Sequence, residues 1–159
     1  MSESLCDQII RQLSSASELY HRLLVVVAPA GSGKTVALQD VHAQTGAPLL
    51  NINLALSTDM LDLTERQRTL QLPRLLNEIV GGVDGDTLLL DNIEILFDAA
   101  LQQDPLRLLQ NISRNKTLVV AWNGSIENGF MTYATPDHHE FKKYPVHDLL
   151  IACPEGNEC

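Results

Sequence analysis

Apolar and polar positions follow two rhythms along this chain. Leu5, Ile9, Ile10, Leu13 and Ala16 recur at helical spacing, which predicts an N-terminal helix over Leu5 to Leu19. Leu23 to Val27 is apolar at every position, as expected of a strand buried on both faces in the middle of a parallel sheet. A helix is predicted from Gly33 to about Gln44, with Val36, Ala37 and Val41 facing inward and Gly46 ending it. Pro48 to Leu54, PLLNINL, reads as a second strand.

The pattern then repeats. Leu72, Leu75, Leu76 and Ile79 form a helical stripe, Gly81 to Asp86 is a turn, and Thr87 to Asp91 is a third strand. Asp104-Pro105 marks a helix start, with Asp as cap and Pro in the first turn, and Leu108, Leu109 and Ile112 lie inside. Thr117 to Trp122 is a fourth strand and Asp148 to Cys153 a fifth. Alternating strands and helices predict an α/β fold: a five-stranded parallel sheet flanked by helices, as one domain over 1–159, with the N-terminal helical segment at 1–21. Residues 124–147 break the rhythm as a long polar loop in which Phe130–Tyr133 and Phe141–Tyr144 could pair as a hairpin.

Composition narrows this picture. With 159 residues, 45% of them hydrophobic, the chain can bury one sizeable core. Its net charge of −9 disfavours a nucleic acid as direct partner, although a basic protein surface would suit it. No apolar run approaches the roughly 20 residues of a membrane helix. The N-terminus, MSESLCDQ, is unlike a secretory signal, so a cytoplasmic protein is expected, with Cys6, Cys153 and Cys159 as free thiols. His138-His139-Glu140 has no partner at metal-ligand spacing; adjacent histidines are expected to point apart, as in a solvated loop.

The stretch LLVVVAPAGSGKT carries the chemistry. Ala28-x-x-x-x-Gly33-Lys34-Thr35 is a Walker A pattern with Ala at the first glycine position, between a predicted strand and a predicted helix. Residues Pro29, Ala30, Gly31, Ser32, Gly33, Lys34, Thr35 and Val36 would cradle the phosphates of ATP or another NTP through backbone N–H groups and the helix N-terminus. Lys34 would reach the outer phosphates, and Thr35 would offer its hydroxyl to Mg²⁺. Asp91, ending the apolar run LLLD, is the acidic partner that would hold Mg²⁺ with Thr35.

Hydrolysis also needs a group to orient or deprotonate water. Asn92 stands where many ATPases carry Glu, and Glu94 follows as the candidate base; in an extended strand the two would point away from Asp91. Asn123, ending the fourth strand, is a candidate sensor of the outer phosphate, or simply a turn residue, since Asn-Gly is a strong turn dipeptide. Arg114 is the preferred arginine finger, expected near the edge of the sheet that carries the site.

With these residues in view, the chain resembles the BrxF family, small P-loop proteins of type III bacteriophage exclusion (BREX) systems. The shared features are the Walker A loop, NINLALS, TERQR…PRLL, LLLDNIEILFD, QDPLRLLQNISRN and AWNGSIENGFMTYA. The resemblance implies an AAA+-like P-loop NTPase core and a phage-defence role beside other BREX proteins. The sequence ends soon after the fifth strand, so no C-terminal helical lid is expected, and a second copy or another partner is expected to complete the site. Three functions follow as expectations: a slow Mg²⁺-dependent ATPase whose nucleotide state controls assembly, a nucleotide switch without hydrolysis, and a small-molecule P-loop kinase.

Overall fold

The computed structural model describes residues 3–154. Its elements are α1 (Leu5–Ser17), β1 (Leu23–Ala28), α2 (Lys34–Thr45), β2 (Leu49–Asn51), α3 (Ile52–Asp59), α4 (Glu65–Gly81), β3 (Thr87–Asp91), α5 (Pro105–Ile112), β4 (Thr117–Glu127), β5 (Phe130–Tyr133), β6 (Lys142–Pro145) and β7 (Leu150–Ala152). Two 3-10 turns, Glu94–Phe97 and Ala99–Leu101, lie between β3 and α5.

Five strands pair in parallel in the order β2-β3-β4-β1-β7. Alternate residues face opposite sides, so the strands feed two cores. Leu24 and Val26 of β1, Leu89 of β3 and Val119 of β4 meet α1 and α2 on one face. Val25, Val27, Leu88, Leu90, Val120 and Trp122 meet α3, α4 and α5 on the other. All six residues of β1 are buried. The chain is thus a mixed α/β structure with a mostly parallel sheet flanked by helices.

Several caps follow from their residues. Asp104 accepts from the Arg107 N–H at 3.2 Å, with Pro105 in the first turn, as expected. Gly46 closes α2 at φ +77°. Pro73 lies inside α4 and cannot donate to the carbonyl one turn back. That carbonyl, on Thr69, accepts instead from Gln103 Nε2 at 2.8 Å.

The fold departs from the expectations at five places. The second strand stops at Asn51, whose side chain accepts from the Leu54 N–H at 3.0 Å and starts α3. Cap chemistry overrides the strand-like NINL pattern there. Val36 is 59% exposed: the buried stripe of α2 runs through Lys34, Ala37, Leu38 and Val41 at helical spacing, and Val36 lies off it. The fourth strand continues past Trp122 to Glu127, so Asn123-Gly124 is not a turn. The turn is the next Asn-Gly, where Asn128 at φ +52° and Gly129 at φ +81° join β4 to β5. β5 in turn pairs antiparallel with β6, one residue beyond the expected partner segment. Finally, Cys6 is a free thiol but Cys153 is disulfide-bonded, because pairing depends on distance in space that sequence spacing does not give. Cys159 lies outside the described residues.

Candidate functional site

The loop between β1 and α2 curls through two left-handed glycines, Gly31 at φ +80° and Gly33 at φ +92°. A Cβ would find open space at either, so it is the backbone angle that calls for glycine. The turn brings Lys34 back over the strand end. Its side chain is nearly buried, and Nζ donates to the Ala28 carbonyl at 2.7 Å and the Pro29 carbonyl at 2.8 Å. Burial lowers the lysine pKa, while the carboxylates of Asp91 and Glu94 act in the opposite direction.

The carboxylates come from the end of β3. Asp91 Oδ2 accepts from the Thr35 hydroxyl at 2.7 Å, and Oδ1 accepts from the Asn92 N–H at 2.9 Å. Asn92 adopts φ +54°, a conformation that asparagine tolerates. This turn overturns the extended-strand expectation for Glu94. Glu94 opens a 3-10 turn and lines the same cavity as Asp91.

Two amides grip the Glu94 carboxylate. Asn123 Nδ2 donates to it at 2.7 Å and Asn53 Nδ2 at 3.3 Å. Asn53 is itself fixed: its side-chain oxygen accepts from the Ile95 N–H and its N–H donates to the Asn92 carbonyl, both at 2.8 Å. Asn53 was not among the sequence candidates because its segment reads as strand. The available signal was an asparagine just inside a capped helix start.

Asn123 sits in β4 opposite Ala28, the last residue of β1. The next residue, Gly124, permits a close crossing of strands, since a Cβ there would lie 1.8 Å from the Thr132 carbonyl oxygen.

Lys34, Thr35, Val36, Asp91, Glu94 and Asn123 converge on a cavity of about 430 Å³, together with Ala30, Gly31, Gly33 and Asn92. Of the other expected loop residues, Pro29 lines a neighbouring cavity and Ser32 is exposed. The Thr35–Asp91 pair fits a Mg²⁺ site that takes one hydroxyl, one carboxylate and substrate phosphates. Among the described residues, no group of three or more His, Cys, Asp or Glu is arranged to hold a metal. The rings of His138 and His139 do not point apart as expected; they stack at 4.7 Å in a turn, where strand alternation does not apply.

Arg114 is the clear correction. It precedes β4, and its guanidinium lies 4.8 Å from the ring centroid of Tyr20, which precedes β1. Both therefore sit at the N-terminal ends of parallel strands, whereas the loop follows the C-terminal end of β1. Arg114 cannot serve this cavity within its own chain.

No protein-family model matches the chain, and no curated protein matches it. Among solved structures, that of C. elegans PCH-2 aligns over 94% of this chain at 14% identity and a TM-score of 0.44, and the chain spans 42% of the PCH-2 chain.

Proposed function

We propose that this chain is a P-loop NTPase with an AAA+-like core that binds Mg²⁺-ATP and hydrolyses it slowly. The observation that carries this reading is the convergence of Lys34, Thr35, Asp91, Glu94 and Asn123 on one cavity beyond the C-terminal ends of β1 and β3, beside the middle of β4. Open α/β sheets take their ligands at that end. Thr35 and Asp91 would hold Mg²⁺, which would neutralise phosphate charge. Lys34, already turned toward the loop, addresses the outer phosphates. Glu94 accepts the proton of the attacking water, and Asn123 keeps that carboxylate in position. No arginine lines the cavity among the described residues, which accords with slow turnover.

The two amides on Glu94 favour one variant of this reading. A carboxylate held by Asn53 and Asn123 is restrained from water, so the chain would act as a nucleotide switch until Glu94 is released.

The resemblance to the BrxF family supports a role in a BREX phage-defence complex, with nucleotide state controlling assembly. A second copy, or another BREX protein, would supply the missing cation. Among the described residues no helix is long and apolar enough to cross a membrane.

The test is Mg²⁺-dependent ATP turnover measured against protein concentration, with Lys34→Ala as control. Turnover per chain that rises with concentration and disappears in the variant supports an ATPase completed by association. ATP binding without turnover supports the switch. An absence of nucleotide binding sinks both.

A further inference from the structure

A second cavity, of about 410 Å³, adjoins the first and shares Ala30 and Asn123 with it; Pro29, Tyr133, His138 and Glu140 form much of its remaining wall. Its position relative to a bound triphosphate follows from Lys34. That amine lies on the Ala28 and Pro29 carbonyls, and the lysine of such a loop addresses the outer phosphates. The Ala28–Pro29 end of the loop is therefore the outer-phosphate end, and the second cavity opens beside it.

Tyr133 is the residue best placed there. It ends β5 and pairs with Gly124, the residue after Asn123. Its ring stacks on Phe97 with centroids 3.6 Å apart and planes at 10°, and it meets Trp122 edge-on at 6.4 Å. Phe97 ends the 3-10 turn that Glu94 begins, and Trp122 precedes Asn123. The segments that place Glu94 and Asn123 thus also place this ring. The Tyr144 hydroxyl donates to Asp104 at 2.8 Å, whereas the Tyr133 hydroxyl makes no hydrogen bond among the described residues. Burial, with the carboxylates of Glu140 and Glu94 adding to it, pushes the Tyr133 phenol up to about 12. It is a donor at neutral pH and cannot act as a base. No Lys or Arg lines this cavity among the described residues.

We propose that the Tyr133 hydroxyl donates a hydrogen bond to the outermost phosphate of a nucleoside triphosphate, so that the hairpin distinguishes triphosphate from diphosphate. This rests on the nucleotide-binding reading above and adds to it a residue and a specificity. Tyr133→Phe keeps the ring and removes the donor. Calorimetric titration with Mg²⁺-ATP and Mg²⁺-ADP is expected to show ATP affinity falling about tenfold, the scale of one hydrogen bond to a charged group. ADP affinity and Tm are expected to stay as in the wild type. An unchanged ATP-to-ADP ratio overturns the proposal, and so does an equal loss for both nucleotides, which would mean that the hydroxyl only supports the fold. A wild-type chain that binds both nucleotides equally overturns this proposal alone. One that binds neither overturns the underlying reading with it.

Discussion

The two ends of the parallel strands carry similar residue types and use them differently. At the N-terminal ends, cations are consumed by the scaffold. Lys116 Nζ donates to the carbonyls of Val80 and Val83, Arg22 to the Thr117 hydroxyl and the Asn115 carbonyl, and Arg114 covers Tyr20. At the C-terminal ends, Lys34 also lies on carbonyls, those of its own loop, but the other polar side chains bond to each other across elements far apart in sequence. Thr35 meets Asp91, and Asn53 and Asn123 meet Glu94, around a cavity. A cation on a carbonyl ties the loops of the fold together. A ring of donors and acceptors around an open volume has further bonding capacity for a ligand.

This contrast can be broken in order of expected effect. Glu94→Gln should lower ATP turnover about 10²–10⁴-fold, the range for losing a general base, with ATP affinity retained; turnover near wild type would move the base elsewhere. Lys34→Ala should weaken ATP binding about 100-fold in a titration, since charge-assisted hydrogen bonds are lost, and wild-type affinity would contradict the placement of the outer phosphates. Gly124→Ala forces a Cβ to within 1.8 Å of a backbone oxygen. Denaturant unfolding should show a loss of about 1–3 kcal/mol from overpacking, together with loss of the hairpin's proposed preference for ATP over ADP. At the opposite end, Arg114→Ala should cost only about 0.5–1 kcal/mol, as for an exposed cation–π contact, and leave turnover unchanged. Loss of turnover that appears only at high protein concentration would instead give Arg114 a role on a second copy.

The smallest effect is one of pH. The folded Tyr133 phenol titrates at about 12, above its ordinary value near 10, so folding favours the protonated form. That contribution is fully present below about pH 10 and is lost as pH rises through about 12. Burial and the bond to Asp104 raise the Tyr144 phenol as well, so two phenolates should develop late in the folded chain, and Tyr133→Phe should remove one of them. Loss of amplitude near pH 10 instead of in the late step would place the hydroxyl in water.

What could be read from sequence was local. The apolar run of β1, the Gly31–Gly33 loop, the Asp104-Pro105 helix start and the Gly46 cap are each specified by residues within a turn of one another, because backbone angles and caps depend on near neighbours. The Ala28–Thr35 spacing with Asp91 likewise anticipated the Thr35–Asp91 contact, although β4 lies between the strands that carry the two residues. Two identical Asn-Gly dipeptides had different outcomes, and sequence does not separate them. Asn123-Gly124 stays extended beneath Thr132, while Asn128-Gly129 turns.

Tertiary structure alone decided the rest. Glu94 joins Asp91 because Asn92 adopts a left-handed angle that Asn53 supports from another element. Arg114 leaves the candidate site because parallel strands put every residue that precedes them at the other end of the sheet. Tyr133 lines the neighbouring cavity because β4 runs on past the parallel strands and carries a hairpin back beside the loop. A local pattern sets a residue's own backbone; which side chains share a cavity depends on how distant segments cross, and that is a property of the packed chain.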